Sequence, residues 1–205
     1  MMYFNPETLP PHAELEWHFD RQCKPVITGA RFHGGRFAVD YERAVGKLTG
    51  GELRPLTRAL GSALVLGALG LDQPEAARAE NISHGTVKKR QRELSRFFDI
   101  PFGGRSLNLA VVRAHEKEIL EWTDPIQVPP AHKERVSDFF TAYAASLETD
   151  QNVKAISAQL LMDKSNLDKN FRDFREAMQL PNITATILYY YGLGEQSTII
   201  QTAPQ

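Results

Sequence analysis

Between Leu71 and Ile100 two amphipathic stretches are separated by a turn too short to let them move independently. The first, Glu75 to Glu80, holds Ala76, Ala77 and Ala79, and Pro74 suits a first helical turn, where a backbone N–H has no intrahelical partner to lose. Asn81 tolerates left-handed backbone. Ser83 is a good N-cap for a longer helix, Ser83 to Phe98, that ends before Pro101. Val87, Leu94 and Phe98 fall on one face of it, at i, i+7 and i+11. Two helices joined this tightly form a helix-turn-helix, an arrangement whose second helix can lie in the major groove of DNA.

The flanking sequence predicts two more helices. From Glu52 onward, Leu56, Leu60, Leu64 and Leu71 share a face that Leu66 and Leu69 widen, and Asp72-Gln73 end it. The dozen residues from Leu60 to Leu71 carry three glycines and are too few to cross a membrane, so they read as a buried helix. After Gly103-Gly104, Ser106 is expected to cap a helix through about Leu120.

Charge separates the regions. The chain is close to neutral, at −1. Residues 1–50 are balanced, residues 51–120 carry +3 and residues 121–205 carry −4. Residues 83–98 hold five basic side chains against one acidic. A phosphate-binding surface is therefore expected in the middle third. Thr86, Lys88, Lys89, Arg92 and Arg96 lie off the apolar stripe of the second helix. Lys and Arg release counterions when they approach phosphates, and both can donate to guanine O6 and N7. Gly85 keeps the start of that helix slim.

The first fifty residues read as a Pro-rich start, a short helix at Glu14 to Phe19, and a β-hairpin signal. In the last, Val26, Ile27, Phe32, Phe37, Val39 and Tyr41 flank His33-Gly34-Gly35. Pro125, Pro129 and Pro130 mark a linker. Beyond it the helical order recurs. A long helix is marked by Val136, Phe139, Phe140 and Tyr143, a shorter one spans Val153 to Leu161, and a third begins at Asp163 or Ser165. Asn182 caps a fourth that contains Ile187 to Tyr191. An offset of eighty residues aligns Val87 with Leu167, Leu94 with Phe174, Phe98 with Met178, Ile100 with Leu180 and Pro101 with Pro181. The shared ending, an aliphatic residue followed by proline, argues for duplication.

The expected fold is therefore mainly α: two tandem four-helix helix-turn-helix units behind a small N-terminal segment with a β-hairpin. The boundaries are 1–50 for that segment, 51–123 for a basic DNA-binding unit, 124–130 for a linker, 131–195 for a diverged second unit and 196–205 for a tail. The second unit's equivalent helix, Asp163 to Met178, is charge-balanced, and Asp168 stands where Lys88 stands in the first. Lys164, Lys169, Arg172 and Arg175 are its candidate secondary DNA contacts; packing or protein contact is the other reading. The aromatic run Tyr189-Tyr190-Tyr191 suits either an interface or the core.

Ile82-Ser83-x-Gly85-Thr86-Val87-Lys88, followed by Leu94 and the ending Phe98-Asp99-Ile100, resembles the DNA-binding domain of the LuxR/GerE family of bacterial transcription regulators. The resemblance covers Glu52 to Leu120, and region 4 of bacterial sigma factors shares its signature. It implies that Lys88 and Arg92 reach base edges while Thr86, Lys89 and Arg90 lie nearer the backbone. The expected DNA-contacting set is Ser83, His84, Thr86, Lys88, Lys89, Arg90, Arg92 and Arg96. It further implies a sequence-specific transcription regulator whose partner is double-stranded DNA, acting as a homodimer or an internal pseudo-dimer. The first fifty residues are too short for a receiver or sensing domain, which points to control by abundance or by a partner. A second reading keeps the fold and makes it an interaction module for another regulator, RNA polymerase or a recombination protein, as the acidic second unit favours.

No enzymatic activity, cofactor or metal is expected. His12, His18, His33, His84, His115 and His132 are scattered, without a ligand spacing. The glycine pairs beside Arg36 and Arg105 lack the lysine of a phosphate-binding loop. Cys23, the single cysteine, excludes an internal disulfide and suits the reducing cytoplasm. No membrane segment or signal peptide is expected.

Overall fold

Ala13 to Phe19 reads Ala-Glu-Leu-Glu-Trp-His-Phe, an alternation of period two, and it forms a strand, not the expected short helix. A computed structural model of the protein describes residues 4–47, 53–101, 103–126 and 164–193. After a short 3-10 turn at Pro6–Thr8 come strands β1 (Ala13–Phe19), β2 (Pro25–Phe32) and β3 (Gly35–Val39), then a two-stranded ribbon of β4 (Val45–Lys47) and β5 (Leu53–Pro55). Helices α1 (Arg58–Ala68), α2 (Gln73–Glu80), α3 (His84–Phe97) and α4 (Ser106–Glu116) follow, then strand β6 (Leu120–Asp124) and helices α5 (Lys164–Ala177) and α6 (Ile183–Tyr191).

The expectation of a mainly α chain of tandem four-helix units is overturned by the sheet. Its four antiparallel strands run in the order β1-β2-β3-β6, so the four helices containing the helix-turn-helix lie, in chain order, between two neighbouring strands. The hairpin at His33-Gly34 is present, with a two-residue turn whose left-handed φ values of 49° and 80° match the twist of paired strands. It belongs to this larger sheet. Leu120-Glu-Trp-Thr-Asp124 also alternates, and β6 begins where helix was expected. An alternation of five to seven residues is a weaker signal than the strong helical periodicity around it.

One face of the sheet buries Ile27, Ala30, Phe32, Phe37, Val39 and Leu120 against the helices. The other is charged: Arg36 donates to both carboxylate oxygens of Glu16, at 2.8 and 2.9 Å, with Arg31 beside them. Those guanidiniums, Arg36 foremost, hold the Glu16 carboxyl below its ordinary range. Helix α1 is buried from Leu60 through Ala68 and forms the centre of the core. Side chains from neighbouring elements crowd its glycines. A Cβ on Gly61 would lie 2.2 Å from the Tyr41 hydroxyl, and one on Gly67 would lie 2.6 Å from Leu107.

Helices α5 and α6 do not build an independent copy. α6 is buried along its length and packs on α4 and α1. Asn182, which caps α6, also donates to the Gly70 carbonyl at 2.6 Å, and Tyr191 lies against His115 with ring centres 4.0 Å apart. The two helices expected at Val136 to Leu147 and Val153 to Leu161, the linker beyond Ile126 and the tail lie outside the described residues.

The aliphatic residue in the ending shared by α3 and α5 has a general cause. Each of α1 to α5 closes with a left-handed residue (Gly70, Asn81, Asp99, Glu118 or Gln179), and then an aliphatic one. The amides of Leu71, Ile82, Ile100, Ile119 and Leu180 reach back to carbonyls five residues earlier, at 2.8–3.1 Å. This is the Schellman closure, which satisfies carbonyls that the helix end would otherwise orphan. The left-handed residue and the aliphatic one end five helices of one chain, so they carry no information about descent between two of them; the proline follows only Ile100 and Leu180.

Candidate nucleic-acid interface

The helix-turn-helix is built from local signals. Asp72 and Glu75 form a capping box at the start of α2, with reciprocal bonds of 2.7 and 2.8 Å. Asp72 thus opens α2; it does not end α1. Asn81 adopts φ 54° at the turn. Ser83 accepts from the Thr86 amide at 3.1 Å and shares a hydroxyl contact with Thr86 Oγ1 at 2.8 Å. Both side chains are engaged in starting the helix. The cap expected at Ser106 differs: Arg105 occupies the N-cap position, and Ser106 donates backward to the Gly103 carbonyl.

The two faces of α3 separate cleanly. Val87, Leu94, Ser95, Phe97 and the following Phe98 are buried. Gly85, Lys88, Lys89, Arg92 and Arg96 are exposed, at i, i+3, i+4, i+7 and i+11, one continuous stripe. His84 is also exposed at the helix start. Lys89 lies 3.9 Å from Glu93 on the same helix, a surface pair of small energetic weight. A Cβ placed on Gly85 would meet nothing closer than Ser83 Oγ at 3.8 Å, so the fold itself does not require glycine there.

Arg90 stands apart from the other candidates. It points inward, half-buried, and its guanidinium grips Glu80 of α2. Sequence reasoning missed this pairing, as well as the Gln73–Gln91 side-chain bond of 2.6 Å between the same helices. The available signal was the helical wheel, on which Arg90 falls near the apolar side.

Of the second candidate set, Lys169 and Arg172 are exposed on α5 and Arg175 is half-buried, interspersed with exposed Asp173 and Glu176. Lys164 is the first residue of α5. Among the described residues no three His, Cys, Asp or Glu side chains gather as a metal site, and no helix is long and apolar enough to cross a membrane. Comparison with protein-family models, curated proteins and solved structures finds no match.

Proposed function

We propose that the protein binds double-stranded DNA through α3 and regulates transcription by reading sequence in the major groove. The observation that carries this reading is the exposed stripe Gly85-Lys88-Lys89-Arg92-Arg96, set on a helix whose opposite face is anchored in the core. Lys88 and Arg92, one helical turn apart, suit guanine edges. Lys89 and Arg96 flank them and suit phosphates. The single exposed thiol, Cys23, fits the reducing compartment where bacterial DNA resides.

A direct test is binding of the purified chain to double-stranded DNA across a salt series. The wild type should bind at low salt with a steep salt dependence, and Lys88→Ala with Arg92→Ala should weaken it. Absence of low-salt binding, or indifference to the pair, removes the reading.

A second reading, a protein-interaction module, draws on a different observation. Trp17 and Phe19 of β1 are 39% and 48% exposed, and Val45 and Leu53 of the ribbon are exposed as well. Large apolar side chains in solvent are a feature of partner surfaces. Capture of RNA polymerase or another regulator that survives Lys88→Ala/Arg92→Ala but is lost on Trp17→Ser would favour it.

A further inference from the structure

Behind the cationic stripe, side chains from two helices meet on a carboxylate of a third. Glu80 Oε1 accepts from Ser62 Oγ of α1 at 2.6 Å and from Arg90 Nη1 of α3 at 2.9 Å, and Oε2 accepts from the same Nη1 at 2.7 Å. The Glu80 and Arg90 side chains are 11% and 19% exposed, and Ser62 is buried. Beside them the Tyr41 ring fills the space over Gly61, and its hydroxyl donates to the Ile27 carbonyl, so the cluster also abuts the sheet. A groove of about 390 Å³, with Lys24, Arg58, Ile82 and Arg90 among its walls, opens onto the pair.

The position of Arg90 on the helix gives the cluster its meaning. Two residues along an α-helix correspond to about 200° of rotation. Lys88 and Arg92 each stand two residues from Arg90, so both project from the opposite side. The short turn from Asn81 to Ser83 fixes how near α2 and α3 lie, while a contact on the inner side is what resists rotation of α3 about its own axis. Breaking one member of a shielded ion pair leaves a charge without its partner, a cost that a small rotation of the helix relieves by opening that charge to the adjoining groove.

We propose that Arg90 is a positioning residue: its ion pair with Glu80, braced by Ser62, sets the rotation of α3 so that Lys88 and Arg92 address base edges together. This rests on the DNA-binding reading above and deepens it. Arg90 then governs discrimination between sequences, not overall attraction to DNA. A base contact needs a fixed donor geometry, whereas attraction to phosphates depends on charge number and tolerates small rotations.

The test uses the full chain and two duplexes: one selected by the wild type from a randomised pool, and a scrambled duplex of the same composition. Arg90→Met should weaken binding to the selected duplex by about tenfold, in the range seen when coupled networks are cut, while leaving the scrambled duplex and the salt slope unchanged. Arg90→Lys, which keeps the charge facing Glu80, should recover most of the loss. Ser62→Ala should shift the preference in the same direction by less, and it carries the test if Arg90→Met does not fold. A salt slope reduced by about one, with both duplexes weakened equally, would show Arg90 to be a phosphate contact and overturn the proposal. An unchanged preference in a folded Arg90→Met protein, or a wild type that binds DNA without preference, overturns it equally. A wild type that binds no duplex at low salt overturns the DNA reading itself and this inference with it, a result distinct from the others.

Discussion

Helices α3 and α5 begin and end eighty residues apart, each fourteen residues long, and close in the same way: Ile100 bonds back to Ser95 and Leu180 to Arg175, each at 2.9 Å. In length and termination they are twins. Their exposed chemistry differs. On α3 the solvent-facing stripe is basic from Lys88 to Arg96, whereas on α5 Lys169 and Arg172 are matched by Asp173 and Glu176 four residues on. The contrast shows that periodicity and capping specify where a helix lies, and that the sign of its outer charges determines what it can meet.

The most severe trial of this contrast is a pair of matched double variants. Lys88→Ala with Arg92→Ala should lose about 1–3 kcal/mol of DNA affinity for each base contact removed. Lys169→Ala with Arg172→Ala should leave affinity nearly unchanged, because neighbouring carboxylates already offset those cations. Fluorescence anisotropy on one duplex at a single salt concentration ranks them. Equal losses would place both helices on the DNA and break the distinction.

Gly85 offers a second trial with two readouts of opposite sign. Glycine in a helix is about 0.5–1 kcal/mol less favourable than alanine, and nothing in the fold occupies the space a Cβ would take. Gly85→Ala should therefore raise the melting temperature. If the first turn of α3 presses on DNA, the same change should weaken binding. A variant both more stable and equally tight would remove any role for the glycine in close approach.

The C-caps should respond alike. Asp99 and Gln179 hold φ values of 56° and 53°, which disfavour side chains. Asp99→Gly and Gln179→Gly should each stabilise by roughly 0.5–1 kcal/mol, measured by urea denaturation. Similar gains would confirm that the caps are equivalent; a gain at one site alone would show that surrounding packing distinguishes them.

These elements also show what the sequence disclosed. The helix-turn-helix was legible residue by residue because its signals are local: Pro74 in the first turn, Asn81 at the turn, Ser83 as cap and the spacing of Val87, Leu94 and Phe98. The buried helix under it was legible from its leucines and glycines. The sheet was not, because β6 joins β3 across more than eighty residues and each strand is only five to eight residues long. A strand that short is defined by its partner more than by its own composition. The inward turn of Arg90 was hidden for a similar reason. Its partner, Glu80, lies on another helix, and although the helical wheel places Arg90 near the apolar side, nothing in the basic stretch around it names the carboxylate it meets.

The last trial lies where α5 and α6 are anchored and α3 is not. Phe174 of α5 packs on Tyr189 of α6 with ring centres 5.7 Å apart, and Tyr189 packs on His33 at 5.0 Å. Burial, and secondarily the neighbouring His12, push His33 from 6.5 down to about 4, so it is neutral in the folded chain near neutral pH. Between those values the unfolded chain binds the proton more readily, so stability is fully present above about 6.5 and declines as pH falls toward about 4. His33→Asn keeps a residue suited to the left-handed turn and removes the titrating ring. In the wild type, protection factors in α6, referred to the intrinsic exchange rate at each pH, should fall over that window, and more than in α3. In His33→Asn that fall should largely vanish. If α3 and α6 lose protection together, the two helices open as one cooperative unit, and their difference is confined to surface charge.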